Sequence, residues 1–379
     1  MKSIIREDIV LEASLIVIKV GTRVLTNAAG HLDLTRVEKI AHQIAAAKRM
    51  GKKVVLVSSG AVGAGMGRLG MSERPTDLAQ LQAVASCGQS YLMQAYDSAF
   101  RTEGLCAGQV LLTTDDFDDR DRYLNAHNTL LALLDLGVVP IINENDAIST
   151  EELDTTFGEN DRLAALVTNL LRAPLLILLS DVPGLLDGSP DEPTSKVLPT
   201  VMTIDDSIWS LVQSSRSKLG TGGMASKIIA AEIVTASGEN VIVASGCEEN
   251  IIEKILAGET IGTLFVARRE GITAKKRWIG FTVTAKGVIT LDGGAAVAVA
   301  QKGKSLLPVG ITACEGDFSK GDVVILRDLE GNDLARGVTN YDLDEVDKIK
   351  GLPSDKILQV LGCCPCKAVV HRDNLLTEI

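Results

Sequence analysis

Two lysines frame the chemistry this chain could carry. Lys19 sits in a run of branched aliphatic residues, LIVIKVG. A buried ammonium there is costly unless an anion compensates it. Gly21, two residues on, would let a phosphate approach the backbone closely. The bland alternative is a lysine that snorkels from a strand end. Lys227 closes the glycine-rich segment GTGGMASK at 220–227. That segment is not a Walker A loop, because Ser226 stands where the motif needs a glycine before its lysine. Its amides can still wrap a polyphosphate while the lysine reaches a terminal phosphoryl group.

Carboxylates and amides cluster elsewhere. Ser58-Ser59-Gly60 opens a second glycine-rich stretch, GAVGAGMGRLG, whose backbone N–H groups could also cradle an anion. Asn143-Glu144-Asn145-Asp146 ends the apolar run VVPII, and Ser180-Asp181 ends PLLILLS. Four polar residues at a buried strand end are either a ligand-orienting group or a plain turn. Gly158-Glu159-Asn160-Asp161 precedes a helical stretch, where Asn160 could simply cap it. Gly65, Gly67 and Gly70 spell G-x-G-x-x-G. They begin several residues past a strand, and no well-placed acidic strand end follows, so a dinucleotide site is not expected. Each signal is weak alone. Two lysines, two glycine loops and carboxylates on parallel strand ends together favour phosphoryl transfer.

The elements that must position these groups follow from periodicity. Strands are expected at 15–21, 53–59, 109–112, 138–143, 175–181 and 240–245, all rich in branched aliphatics. Helices are expected at 34–50, 76–101, 121–136, 160–172, 225–237 and 250–256, with Gly51 as a C-cap. Such alternation predicts an α/β fold: a three-layer αβα sandwich around a mostly parallel sheet, with ligands beyond the strands' C-terminal ends. The expected domains are 1–267, a basic linker at 268–284, and 285–379. The last reads as a small, mainly β domain built from GVITLD, AAVAVAQ, SLLPVGI, DVVILRD, ARGVTNY and KAVVHRD.

Composition narrows the class. The 379 residues are 46% hydrophobic and 23% charged, an ordinary globular balance. No apolar run reaches the roughly 20 residues of a membrane-spanning helix. Charges at Arg6, Glu7, Asp8 and Glu12 argue against a signal peptide, so the expected location is cytoplasmic. Seven cysteines, an odd number, do not read as a disulfide framework. Cys363 and Cys366 have C-x-x-C spacing with Cys364 between them, yet no second pair completes a zinc site. A net charge of −11 repels nucleic acid and obliges an anion site to build its own positive pocket.

Taken in order, IVIKVGTRVLT, VLVSSGAVGAG, PIINENDAI, FGEND, LLSDVPGLL and GTGGMASK resemble the glutamate-phosphorylating branch of the amino acid kinase family. The C-terminal part, ending in VVHRDN, resembles a PUA domain. The resemblance implies transfer of the ATP γ-phosphoryl group to the side-chain carboxylate of L-glutamate, with Mg2+, feedback inhibition by proline and a homo-oligomeric assembly. It implies that Lys19 and Lys227 contact the phosphates, with Asp161 holding them in place. It matches Ser59, Asp146 and Asn160 to glutamate binding, with Asn143 as an addition. Nucleotide binding is matched to Ser180, Asp181, Thr221, Gly222, Gly223, Met224, Ala225, Ser226 and Lys227, beside Lys19 and Gly21. No protein metal ligand is assigned.

Three features depart from the family pattern: Glu159 where aspartate can stand, a longer segment between Asp146 and Gly158, and the run CCPC. An attacking carboxylate is already ionised at pH 7, which suits a set of loops without histidine. Two rivals stay open: another amino acid kinase with a different acceptor, or an RNA-binding or RNA-modifying PUA protein. Residues 285–379 carry 11 Lys and Arg against 14 Asp and Glu, a net −3 that disfavours the second rival.

Overall fold

The structure is a computed structural model. It describes residues 2–148, 159–189, 192, 194–214, 223–267, 279–280, 283–362 and 366–377. The chain divides into two compact units, Met1–Glu270 and Gly271–Ile379.

In the first unit, strands and helices alternate as the hydrophobic pattern requires. The order runs α1 (Lys2–Glu12), β1 (Leu15–Val20), the short turn α2 (Thr22–Leu25), α3 (Leu34–Arg49) and β2 (Lys53–Val57). It continues with α4 (Ala61–Leu69), α5 (Leu78–Thr102), β3 (Ala107–Leu112), the turn α6 (Asp115–Asp118), α7 (Arg120–Asp135) and β4 (Val139–Glu144). Then come α8 (Glu159–Leu171), β5 (Leu175–Ser180), β6 (Thr200–Val201), α9 (Asp206–Ser214), α10 (Met224–Ala236), β7 (Asn240–Ser245), α11 (Ile251–Leu256) and β8 (Thr263–Phe265). Asp33 caps α3 by accepting from the Thr35 and Arg36 amides, satisfying donors that the helix start leaves open.

The sheet order is β3-β4-β2-β1-β5-β7-β8-β6. From β3 to β7 every pairing is parallel, and β8 then runs antiparallel to β7. Alternation along β1 decides the layers. Ile16, Ile18 and Val20 enter one buried cluster with residues of α3, α5 and α11. Val17 enters the other, with residues of α7, α8 and α10. Side chains of a strand point to opposite faces in turn. Lys19 therefore lies on the Val17 face, the one covered by α8 and α10.

The charged start of the chain has a structural use. Arg6 is 1% exposed and donates from its guanidinium to the carbonyls of Pro199 (2.7 Å), Glu259 (3.2 Å), Ile261 and Gly262 (3.3 Å). These carbonyls surround the β6–β8 edge, so Arg6 ties α1 to the far side of the sheet. No helix among the described residues is long and apolar enough to cross a membrane.

The second unit has its own sheet, β9 (Gly287–Leu291), β10 (Ile311–Gly316), β11 (Val323–Arg327), β12 (Asp333–Thr339) and β13 (Val370–Leu376), in the order β10-β9-β11-β12-β13. Its core includes Ile289, Leu291, Leu306, Phe318, Val324, Leu326 and Tyr341. Two expected strands are corrected here. SLLPVGI forms only an isolated bridge at Leu306 and a 3-10 turn at Pro308–Gly310 before β10, because proline at the first position of the turn fixes its backbone angle and removes an amide donor from any ladder. AAVAVAQ lies in the helix Gly293–Ala300, started by the Asp292 side chain accepting from the Ala295 amide at 2.7 Å. Alanine is the strongest helix former, and an aspartate cap overrides a short two-residue alternation. The basic stretch 268–278, Cys363 and Cys364 lie outside the described residues. Cys366 is half-buried and forms no disulfide.

Candidate active site

Three charged side chains, distant in sequence, meet on the α8–α10 face of the sheet. Lys19 Nζ lies 2.5 Å from Asp161 Oδ1, and Lys227 Nζ lies 3.3 Å from Asp161 Oδ2. Lys19, Asp161 and Lys227 are 6%, 1% and 3% exposed. Alternation along β1 aims Lys19 at this face. Asp161 stands in the first turn of α8, and Lys227 in the first turn of α10. Ser226 Oγ is 2.8 Å from Asp161 Oδ2 and 2.9 Å from the Gly223 carbonyl, which fixes the start of α10 against the carboxylate.

Electrostatics make this a coupled set. Burial alone would push the Asp161 carboxyl up. The two ammonium groups and the Ser226 hydroxyl outweigh it and hold the group at about 2. Burial lowers the Lys227 ammonium, Lys19 lowers it further, and Asp161 works against both. One carboxylate thus offsets the cost of burying two cations side by side.

The described nucleotide-side residues named from the sequence lie around the ends of β1 and β5 and the start of α10. The Gly21 amide donates to the Leu179 carbonyl at 2.9 Å. A Cβ on Gly21 would fall 3.6 Å from Lys19 Nζ and 3.3 Å from the Leu179 carbonyl oxygen. Glycine therefore keeps open the space above the ammonium. Ser180 is buried, and its Oγ accepts from the Val182 amide at 3.3 Å. Asp181 pairs with Arg23 at 2.7 Å; burial would raise its carboxyl, and Arg23 holds it below the usual range. Gly223 is the N-cap of α10, and Met224 and Ala225 form its first turn. Thr221 and Gly222 lie outside the described residues.

A second group of side chains is made of amides and hydroxyls. Gly60 takes φ +97°, a conformation open to glycine, and turns the chain from β2 into α4 just after Ser58 and Ser59. Asn160 Nδ2 donates to Ser59 Oγ at 3.0 Å, tying the start of α8 to the end of β2. The Asn160 side chain is thus used across the sheet. Asn143 Nδ2 donates to Gln89 Oε1 on α5 at 2.7 Å. Among the described residues, the buried Oδ1 atoms of Asn143 and Asn160 have no hydrogen-bond partner. Asp146 follows β4 and is half-buried; burial raises its carboxyl to about 6, with Arg74 pulling the other way.

Several participants carried no signal in the sequence. Gln89 lies within a long amphipathic helix and Arg74 in a polar stretch, and Arg23 lies inside the motif IVIKVGTRVLT with no charge pattern around it to mark a role. The glycines of the G-x-G-x-x-G match have a packing role at Gly65, where a Cβ would fall 2.0 Å from the Val84 carbonyl oxygen of α5. No cluster of three or more His, Cys, Asp or Glu side chains able to hold a metal occurs among the described residues.

The geometry offers an anion centre at the C-terminal ends of β1 and β5 and a cluster of buried amides at the ends of β2 and β4. The model of the amino acid kinase family matches residues 14–245, and that of the PUA domain matches residues 287–361. The chain is 43% identical over 375 residues to a glutamate 5-kinase of Rhodopirellula baltica, covering 99% of this chain and 96% of that one. It is 45% identical over 374 residues to a glutamate 5-kinase of Syntrophotalea carbinolica, covering 98% and 100%. A glutamate 5-kinase of Moorella thermoacetica is 45% identical over 366 residues, covering 96% of each chain. With a family model matched over residues 14–245 and likeness of this degree over nearly the whole chain, the chain belongs to the amino acid kinase family, on the glutamate 5-kinase branch.

Proposed function

We propose that the protein transfers the γ-phosphoryl group of ATP to the side-chain carboxylate of L-glutamate, giving L-glutamyl 5-phosphate, the first step of proline biosynthesis. The observation that carries this reading is the pair of buried ammonium groups sharing Asp161 beside a cluster of amides. Bringing a carboxylate up to a triphosphate joins two anions. Fixed cations offset that repulsion without reorganising at the moment of reaction.

In this reading Lys19 and Lys227 contact the phosphates, and Asp161 sets the distance between them. Gly21 leaves room for the phosphate tail, and the amides opening α10 face it. Ser180, Asp181 and the segment 221–227 hold the nucleotide. Ser59, Asn143 and Asn160 orient the acceptor, and Asp146 binds its ammonium. The γ-carboxylate attacks phosphorus in line, the bond to the β-phosphate oxygen breaks, and ADP leaves. No general base is required, because the nucleophile is already ionised.

Mg2+ is proposed to arrive as the counter-ion of ATP. Both Asp161 oxygens face lysines, so the donors that fit the ion are the nucleotide's own phosphate oxygens. The ion would neutralise phosphate charge. Proline inhibition, homo-oligomeric assembly and a cytoplasmic location belong to the same proposal, as does the division into a kinase domain at 1–267, a linker at 268–284 and a PUA domain at 285–379.

The direct test is glutamate-dependent ADP formation with the acyl phosphate trapped by hydroxylamine, run with and without proline. Hydroxamate that appears only when ATP and glutamate are both present is the expected result. ADP formation indifferent to glutamate would end the reading.

A further inference from the structure

The amide cluster contains one residue that the family motifs do not include. Gln89 lies on α5, and its Oε1 accepts from Asn143 Nδ2 at 2.7 Å. Its own Nε2 is buried and has no hydrogen-bond partner among the described residues; the same holds for Asn143 Oδ1. The pair therefore presents one amide N–H2 group and one carbonyl oxygen side by side, neither matched by protein. Flipping both amides together would keep the bond between them and again leave one donor and one acceptor. The chemical character of the pair does not depend on that assignment.

Gln89 is held there by backbone packing. A Cβ on Gly88 would fall 1.8 Å from the Ala61 carbonyl oxygen and 2.3 Å from the Gly65 amide nitrogen. At this crossing α5 lies directly on the first turns of α4, which itself begins just after Ser59. Leu92 and Tyr96 follow Gln89 at helical spacing and are both fully buried. Tyr96 Oη lies 3.1 Å from Ser58 Oγ at the end of β2, while Gln89 reaches the end of β4. One face of α5 thus touches two adjacent strand ends, and side chains on it are fixed in rotation.

We infer that the Gln89–Asn143 amide pair reads the zwitterionic head of the amino-acid acceptor: Gln89 Nε2 donates to the α-carboxylate, and Asn143 Oδ1 accepts from the α-ammonium. A donor beside an acceptor complements a carboxylate beside an ammonium. Leaving such buried groups unpaired penalises acceptors that lack the matching atoms. The inference rests on the proposed glutamate activity and adds Gln89 as a specificity-determining residue.

The test uses the full chain with Gln89→Leu and, as a near-isosteric second variant, Gln89→Met. Both remove the amide and keep an apolar side chain of similar bulk. KM for glutamate should rise roughly 10- to 100-fold, as expected when a hydrogen bond to a charged group is lost. kcat and KM for ATP should stay within about twofold. A purely structural role would move the ATP parameters or kcat as well. Glutamate KM within about twofold of wild type in either folded variant would overturn the role of Gln89, as would a parallel rise in ATP KM. A wild-type protein silent toward glutamate would instead remove the reading on which this inference rests.

Discussion

The two halves of the site are built on opposite principles. At the ends of β1 and β5, every charge faces another protein charge: Lys19 and Lys227 both meet Asp161. At the ends of β2 and β4, polar atoms outnumber their partners, with Asn143 Oδ1, Asn160 Oδ1 and Gln89 Nε2 all buried and unmatched among the described residues. The first half is preorganised: two cations are held in a buried place by a third residue, ready for an anion of high charge. The second half is under-satisfied, and that favours an acceptor supplying the missing donors and acceptors. Affinity for the phosphate tail can come from charge that is already in place. In the proposed reading, selectivity for the acceptor comes from the cost of leaving amides unpaired.

The contrast can be broken at its centre first. Asp161→Asn keeps the shape of the side chain and removes the charge that holds both lysines. Two ammonium groups would then be buried side by side, so a stability loss of about 3–5 kcal/mol is expected, read by denaturant unfolding, together with loss of turnover. The acid limit of the wild type has the same origin. The Asp161 carboxyl sits near 2, below its ordinary 3.8, so its stabilising ion pairs are complete above about 4 and are lost as pH falls through about 2.

A smaller and cleaner effect should follow from Lys227→Ala, which removes one cation while Asp161 keeps the other. The expected outcome is a drop in kcat of about 10²-fold or more with a much smaller change in KM, measured by steady-state ADP formation. Near-normal turnover would show that the charged half does not act on the transition state.

The smallest effect sharpens the other half. Asp146 has its carboxyl raised to about 6, so it is ionised at pH 7 and gains a proton as pH falls. A protonated Asp146 cannot pair with an ammonium. Glutamate KM should therefore climb below pH 6, by up to about tenfold per unit, while ATP KM stays flat. In Asp146→Asn that slope should vanish. The stability contribution has the opposite sense to that of Asp161. A raised carboxyl leaves the fold most favoured below about 4, and that margin is lost as pH rises through 6.

Much of the architecture was legible because the strands are buried on both faces and so read as unbroken aliphatic runs. The strand expected at 240–245 is Asn240–Ser245, and β1 ends one residue short of the expected 15–21. AAVAVAQ misled because alternating small residues suit a helix as readily as a strand, and the cap at Asp292 decided. Arg6 read only as an interruption of an apolar stretch, since its partners are carbonyls more than 190 residues away.

By itself the sequence determined where the main strands and helices of the first unit lie to within a few residues, that a lysine sits within an aliphatic strand, and that glycine-rich turns open two helices. These are local properties, set by side-chain periodicity and backbone sterics within a few residues. Only the tertiary structure decided that Lys19, Asp161 and Lys227 share one point, and that Gln89 on a distant helix reaches Asn143. Those meetings depend on which helix covers which face of the sheet and how closely α4 and α5 cross. Long-range packing settles both, and no short window of residues records it.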